Sequence, residues 1–271
     1  MNRLETAQSY AAAAGAIVRR DASIFFSYRT RVFAQVASMM LSFAIFFYIS
    51  QLIQVESFGS GKQYFAFVVV GLVIMEVLQA ALTTPMNLRQ EMVAGTFERL
   101  VASPLGPVAG AIAMCFFPIL LGCGISAVNL GLAALLFGLP LEWSTAALAI
   151  PVAALGALAF SALGVLFMGA MVVFKQSMGM AWILAGLGLT AGVYFPVKLL
   201  PDWVRWVSDV QPFTPAVDLL RHLLLGLPAA SSPALSLLKL ALFAGLLLPV
   251  AGVTLRAAIQ IARSKGTILE Y

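Results

Sequence analysis

The stretch YFAFVVVGLVIMEVLQAALTTPMNLRQEMVAGTFERLVASPL, from Tyr64 to Leu105, sets the reading of the whole chain. Through Met86 it is an apolar run interrupted by a single carboxylate, Glu76, and long enough to cross a bilayer, for which about 20 mostly apolar residues suffice. Beyond Met86 it turns polar, with Arg89, Glu91, Glu98 and Arg99 set among Leu88, Met92, Phe97 and Leu100. The same alternation of long apolar runs and short charged connectors recurs along the 271 residues, of which 62% are apolar and 10% charged. Soluble domains carry about 25% charged residues, so a water-soluble globule is excluded. The composition predicts an all-α, polytopic integral membrane protein.

Windows of membrane-spanning length place apolar segments at 32–53, 64–86, 107–137, 146–174, 177–195 and 234–261, which predicts six spans. With a cytoplasmic N-terminus the inner side holds Arg3, Arg19, Arg20, Arg29, Arg31, Arg89, Arg99, Lys175, Arg256, Arg263 and Lys265. The outer side then holds Lys62, Lys198, Arg205 and Arg221, with Lys239 near the start of the last span. This excess of inner basic residues favours both termini inside. Only Lys175 and Gln176 divide the fourth and fifth spans; without that divide there are five spans and an outer C-terminus.

Three pieces do not span. Residues 1–31 include Ile17, Val18, Ile24, Phe25 and Phe26 mixed with arginines, which suits a helix lying along the inner interface; a basic flank of the first span explains the arginines equally. Residues 87–104 suit a short amphipathic helix presenting one face to a partner, or a solvated loop. Residues 196–233 are too apolar for a free loop and are cut by Pro196, Pro201, Pro212, Pro215 and Pro228. They predict two short outer interfacial or re-entrant helices. The first carries Trp203 and Trp206; the second has Thr214 as N-cap, Pro215 at the first helical position and Gly226 just past its end.

Constellations for catalysis, metals and nucleotides are not convincing. Gly59-Ser60-Gly61-Lys62-Gln63 departs from a phosphate-binding loop at Gln63 and Glu56 and reads as an outer turn. Gly188 and Gly192 read as sites of close helix approach, and His222 as an interfacial side chain. Cys115 and Cys123 stand about 12 Å apart on a helix, beyond disulfide reach. No catalytic, cofactor or metal residues, and no nucleic-acid partner, are expected.

Three motifs carry a resemblance: GTFERLVASPL from Gly95 to Leu105, GVYFP from Gly192 to Pro196, and PFTPAVDLLR from Pro212 to Arg221; the terminal GTILEY adds a weak echo. Together they resemble the membrane subunit of a type-2 ABC exporter, from about Ala22 to the C-terminus. The resemblance implies a six-span permease domain over 32–271 and a coupling helix within 87–104. It also implies a plasma (inner) membrane location, a homodimer or a pair with a related permease, and two copies of a separate ABC ATPase. Glu91, Met92, Gly95, Phe97, Glu98, Arg99 and Leu100 would form the ATPase contact. The family's substrates imply export of an amphipathic drug or lipid, or of a lipid-linked polysaccharide.

Glu76, Gln79 and Thr83 fall on one helical face and are candidates for a translocation path or for structural hydrogen bonds between helices. Phe43 and Phe47 would line the path or pack against core and lipid. Glu76 and Lys239 are the candidate buried charges, as a secondary transporter without an ATPase would also require.

Overall fold

The computed structural model describes residues 3–52, 58–96, 105–174 and 179–264, and these are helical without strands. In chain order the helices are α1 (Arg3–Ser27), α2 (Arg29–Leu52), α3 (Gly61–Val93), α4 (Gly106–Ala113), α5 (Phe116–Phe137), α6 (Trp143–Phe174) and α7 (Met180–Thr190). A 3₁₀ turn at Val197–Leu199 leads to α8 (Asp202–Asp209), α9 (Phe213–Leu225) and α10 (Pro233–Ser264). Among the described residues five segments are long and apolar enough to cross a membrane: α2, α3, α4 with α5, α6 and α10.

The fifth expected span, 177–195, is helical among the described residues only over Met180–Thr190, 11 residues, and is too short to cross. A helix of that length rises about 16 Å, half the hydrocarbon thickness. What stops it is Gly192, whose left-handed backbone (φ 76°) turns the chain ahead of Pro196. Gly192 is thus a turn residue and not the site of helix approach expected for it, whereas Gly188 does face Met75, whose thioether would have to shift to admit a Cβ. The divide expected at Lys175 and Gln176 lies outside the described residues, between the end of α6 at Phe174 and the start of α7 at Met180.

The third span is broken at Met114 and Cys115 between α4 and α5. Pro118 accounts for the break, because it offers no N–H to the Met114 carbonyl four residues earlier and its ring crowds that oxygen. Both cysteines are free. The glycine-rich turn before α3 is its N-cap, Ser60 accepting from the Gln63 N–H at 3.3 Å. Pro85 sits inside α3, which nevertheless continues to Val93, so 87–93 belongs to this helix and not to a separate connector helix.

Helix α3 is the centre of the bundle. Its most apolar window is 83% buried, against 6% for α2, so α3 is packed on most sides while α2 lies at the periphery. Around α3 stand α2, α5, α6 and α9, and α10 covers α6. One core joins Leu78, Ala81 and Leu82 of α3 to Phe160 of α6 and Phe213, Val217 and Leu220 of α9. A second joins Leu88 and Met92 to Met168 of α6 and Leu255 and Ile259 of α10. The third gathers Phe43 of α2 with Phe65 of α3 and Ala133 of α5.

The two outer helices behave differently. In α8, Trp203 and Trp206 are exposed, as rings at headgroup level should be. α9 is embedded against α3, α6 and α10. It begins at Phe213, one residue ahead of the expected cap Thr214, whose hydroxyl has no partner; Pro212 supplies helical backbone there without a side-chain cap. Its end is as expected, with Gly226 left-handed and its N–H on the His222 carbonyl.

Helices α3 and α6 meet most closely at Gly164, where an added Cβ would stand 2.5 Å from the Ala81 carbonyl oxygen. That oxygen has lost its helical N–H to Pro85, four residues on. Gly164→Ala is therefore expected to destabilise the purified protein by about 1–3 kcal/mol, the usual cost of overpacking. Gly245→Ala, a helical glycine with open space around it, should leave the melting temperature unchanged or slightly raised. Thermal unfolding of both variants in one detergent checks the contrast.

Candidate functional site

Between α1, α3 and α5 lies a cleft of about 960 Å³. α1 contributes Ala13, Ala16, Ile17, Arg20, Ile24 and Phe25, spaced as one face of a helix. α3 contributes Glu76, Gln79, Ala80, Thr83, Asn87, Gln90 and Glu91, again one face, but a polar one. α5 adds the apolar Phe117, Leu121 and Ile125. Gln79, Thr83, Asn87 and Gln90 are exposed on it. The structure thus brings Glu76, Gln79 and Thr83 together on the cleft wall. Phe43 and Phe47 it places elsewhere: Phe43 is fully buried in the core beside Phe65, and Phe47 packs against the rings of Phe65 and Phe137.

Glu76 is only 7% exposed, and its oxygens are held by neutral donors. Gln35 of α2 donates from Nε2 to Oε1 at 3.2 Å, and Asn129 of α5 donates from Nδ2 to Oε2 at 2.8 Å. Ser126 Oγ lies 3.3 Å from Oε2 and 2.9 Å from the Val73 carbonyl, which takes its single proton at the shorter distance. Among the described residues no cation pairs with Glu76.

The far end of the polar face is built differently. Arg20 of α1 reaches Glu91 Oε1 at 3.1 Å from Nη1 and Asp21 Oδ1 at 2.9 Å from Nη2. Burial raises the Asp21 carboxyl above its ordinary pKa, and the hydrogen bond and charge of Arg20 oppose that shift. α3 ends in a Schellman turn: Gly95 takes φ 70°, its N–H bonds the Met92 carbonyl at 3.2 Å, and the Thr96 N–H bonds the Glu91 carbonyl at 3.0 Å. Thr96 Oγ1 also donates to the Glu91 carboxylate. Met92 is buried in the second core. Phe97, Glu98, Arg99 and Leu100 lie outside the described residues.

A family model described as ABC-2 type transporter matches residues 14–225, from within α1 to the last residue of α9. The chain belongs to the ABC-2 type transporter family. It is a multi-pass membrane protein and a transport permease. The match starts a little before Ala22, where the motif resemblance begins, and leaves α10 outside it. No curated protein matches the chain.

One functional-looking residue of this permease was hidden in the sequence. Arg221, expected on the outer side in the second short interfacial or re-entrant helix, is 6% exposed, whereas Lys239, a candidate buried charge, pairs with Asp209 at 3.6 Å on the surface. The Arg221 guanidinium stacks 3.3 Å over the Phe67 ring and donates to the carbonyls of Phe67, Gly192 and Val193 at 2.8–3.0 Å. It pins α9 to the start of α3 and to the frayed end of α7. Its spacing was the available signal, since four residues after Val217 is the buried face of α9.

The Arg20–Glu91 pair fastens α1 across the cleft. Both side chains are partly exposed, so the pair is worth about 0.5–1 kcal/mol, enough to bias position but not folding. Arg20→Glu or Glu91→Arg alone should broaden the distance distribution between spin labels on α1 and α5. The combined swap should narrow it again.

Proposed function

We propose that the chain is the permease subunit of an ATP-driven exporter that moves an amphipathic drug-like or lipid substrate out across the plasma membrane. In this reading two permease copies join two copies of a separate ABC ATPase, and both termini are cytoplasmic. The observation that carries it is the polar face of α3. Gln79, Thr83, Asn87 and Gln90 are exposed along a helix of membrane-spanning length, and lipid does not tolerate such a row. The row therefore faces water or solute, and the apolar residues of α1 and α5 opposite it suit a molecule with both polar and apolar parts. The basic residues Arg19 and Arg20 on α1 and Arg89 on α3 mark that end as the inner one by the positive-inside rule.

ATP-driven motion would enter at the segment from Glu91 to Leu100. Met92 is anchored in the core and Gly95 turns the chain out of α3, so Phe97, Glu98, Arg99 and Leu100 follow a fixed point. The docking of a soluble motor there needs apolar anchors rimmed by charge, which these residue types supply. Co-expression with the cognate ABC ATPase should give a complex of two permeases and two ATPases by native mass spectrometry. Phe97→Ala, or charge reversal at Glu98 and Arg99, should leave the permease's melting temperature unchanged while weakening ATPase binding about tenfold or more. Unchanged binding and unchanged coupling of hydrolysis to transport in these variants would remove the coupling assignment. Transport in proteoliposomes lacking any ATPase would replace the ATP-driven reading with secondary transport.

A further inference from the structure

We propose that the cleft binds an amphipathic monocation whose charge is met by Glu76. This rests on the exporter reading above and narrows its substrate class. Among the described residues the cleft is lined by three carboxylates, Asp21, Glu76 and Glu91, against one guanidinium, Arg20. That guanidinium is spent on Asp21 and Glu91, and among the described residues Glu76 has no counter-ion. Buried charges are ordinarily paired, and a carboxylate steadied only by the neutral amides of Gln35 and Asn129 keeps a strong attraction for any cation that can reach it. Glu76 lines the cleft and is 7% exposed, so a cation reaches it only from within the cleft.

The rest of the wall selects the body attached to that charge. Ile24, Phe25, Phe117, Leu121 and Ile125 present hydrocarbon, with the rings of Phe25 and Phe117 edge to face at 5.8 Å. A polyhydroxylated glycan would lose hydrogen bonds against this wall. An anion would face the uncompensated carboxylate. A bulky apolar body with one delocalised positive charge satisfies both parts of the site, and about 960 Å³ leaves room for it.

Full-length protein in phosphatidylcholine nanodiscs can be titrated with radiolabelled tetraphenylphosphonium and, in separate samples, with tetraphenylborate, an anion of the same shape, using empty nanodiscs as the partition background. The expected result is saturable phosphonium binding with no saturable borate binding. Glu76→Gln should weaken phosphonium binding about tenfold or more, and Glu76→Asp, which keeps the charge, should weaken it less. Leu121→Trp, which fills the cleft with its charge intact, should abolish it. Should Glu76→Gln fail to give a normal melting curve, the phosphonium and borate contrast on the native chain and the Leu121→Trp result decide alone. Equal binding of the two probes, undiminished binding in folded Glu76→Gln, or undiminished binding in Leu121→Trp overturns the proposal. ATPase docking on the same preparations separates the two readings: loss of the exporter reading removes the ATPase complex and leaves probe binding, whereas failure here leaves the complex and removes probe selectivity.

Discussion

A carboxylate halfway along a membrane helix has no water to hold it, so its donors must come from protein, and Glu76 draws them from helices on both sides of α3. Asn129 comes from α5, already packed against α3; Gln35 comes from α2, which otherwise buries little. The cost of leaving such a group unmade is larger than the gain from any one of these bonds, so the arrangement is fixed more by what its loss would expose than by what it adds. With the aromatic cluster around Phe43, the Gln35 bond settles where the peripheral α2 sits and thereby where the cleft ends.

Arg221 solves the converse problem near the other end of α3. A guanidinium offers donors in a planar fork, and here they meet carbonyl oxygens at the end of the short helix α7, where the helical ladder has stopped supplying partners. The short helix and the buried cation therefore require each other: a continuous fifth span would leave Arg221 fewer free carbonyls, and without Arg221 the interrupted backbone would stand unsatisfied inside the bundle. The same logic explains Gly164, which lets α6 approach a carbonyl that Pro85 has left without its own N–H.

What the sequence made legible was whatever depends on residue counts along one helix. Apart from α3, which runs seven residues beyond the end of its 64–86 window, the long spans start and stop within a few residues of their apolar windows, and the common face of Glu76, Gln79 and Thr83 follows from spacing alone. Hydropathy fails at 177–195 because it registers apolar character and not whether the backbone is helical; Gly192 and Pro196 end the helix inside an apolar run. It fails on Lys239 and Arg221 because a window average cannot tell a cation facing Asp209 from one facing three carbonyls. The participation of α1 in the cleft needed tertiary contacts, since Ala13, Ile17, Ile24 and Phe25 suit a membrane surface as well as a protein wall.

The length of α3 gives these parts a mechanical relation. Glu76 and Glu91 are 15 residues apart on one unbroken helix, a rise of about 22 Å, and the helix ends in a hydrogen-bonded turn whose last partner, Thr96, adjoins Phe97. In the proposed ATP-driven motion, a displacement passed to the end of α3 would travel along this helix to its polar face. Arg20 opposes that displacement through a pair too weak to block it, while the hydrogen bonds of Glu76 hold the other end close to α2 and α5. The cleft is thus tied at one end by the hydrogen bonds of Glu76 and at its rim by a weak ion pair, an asymmetry that the proposed opening from one end would use.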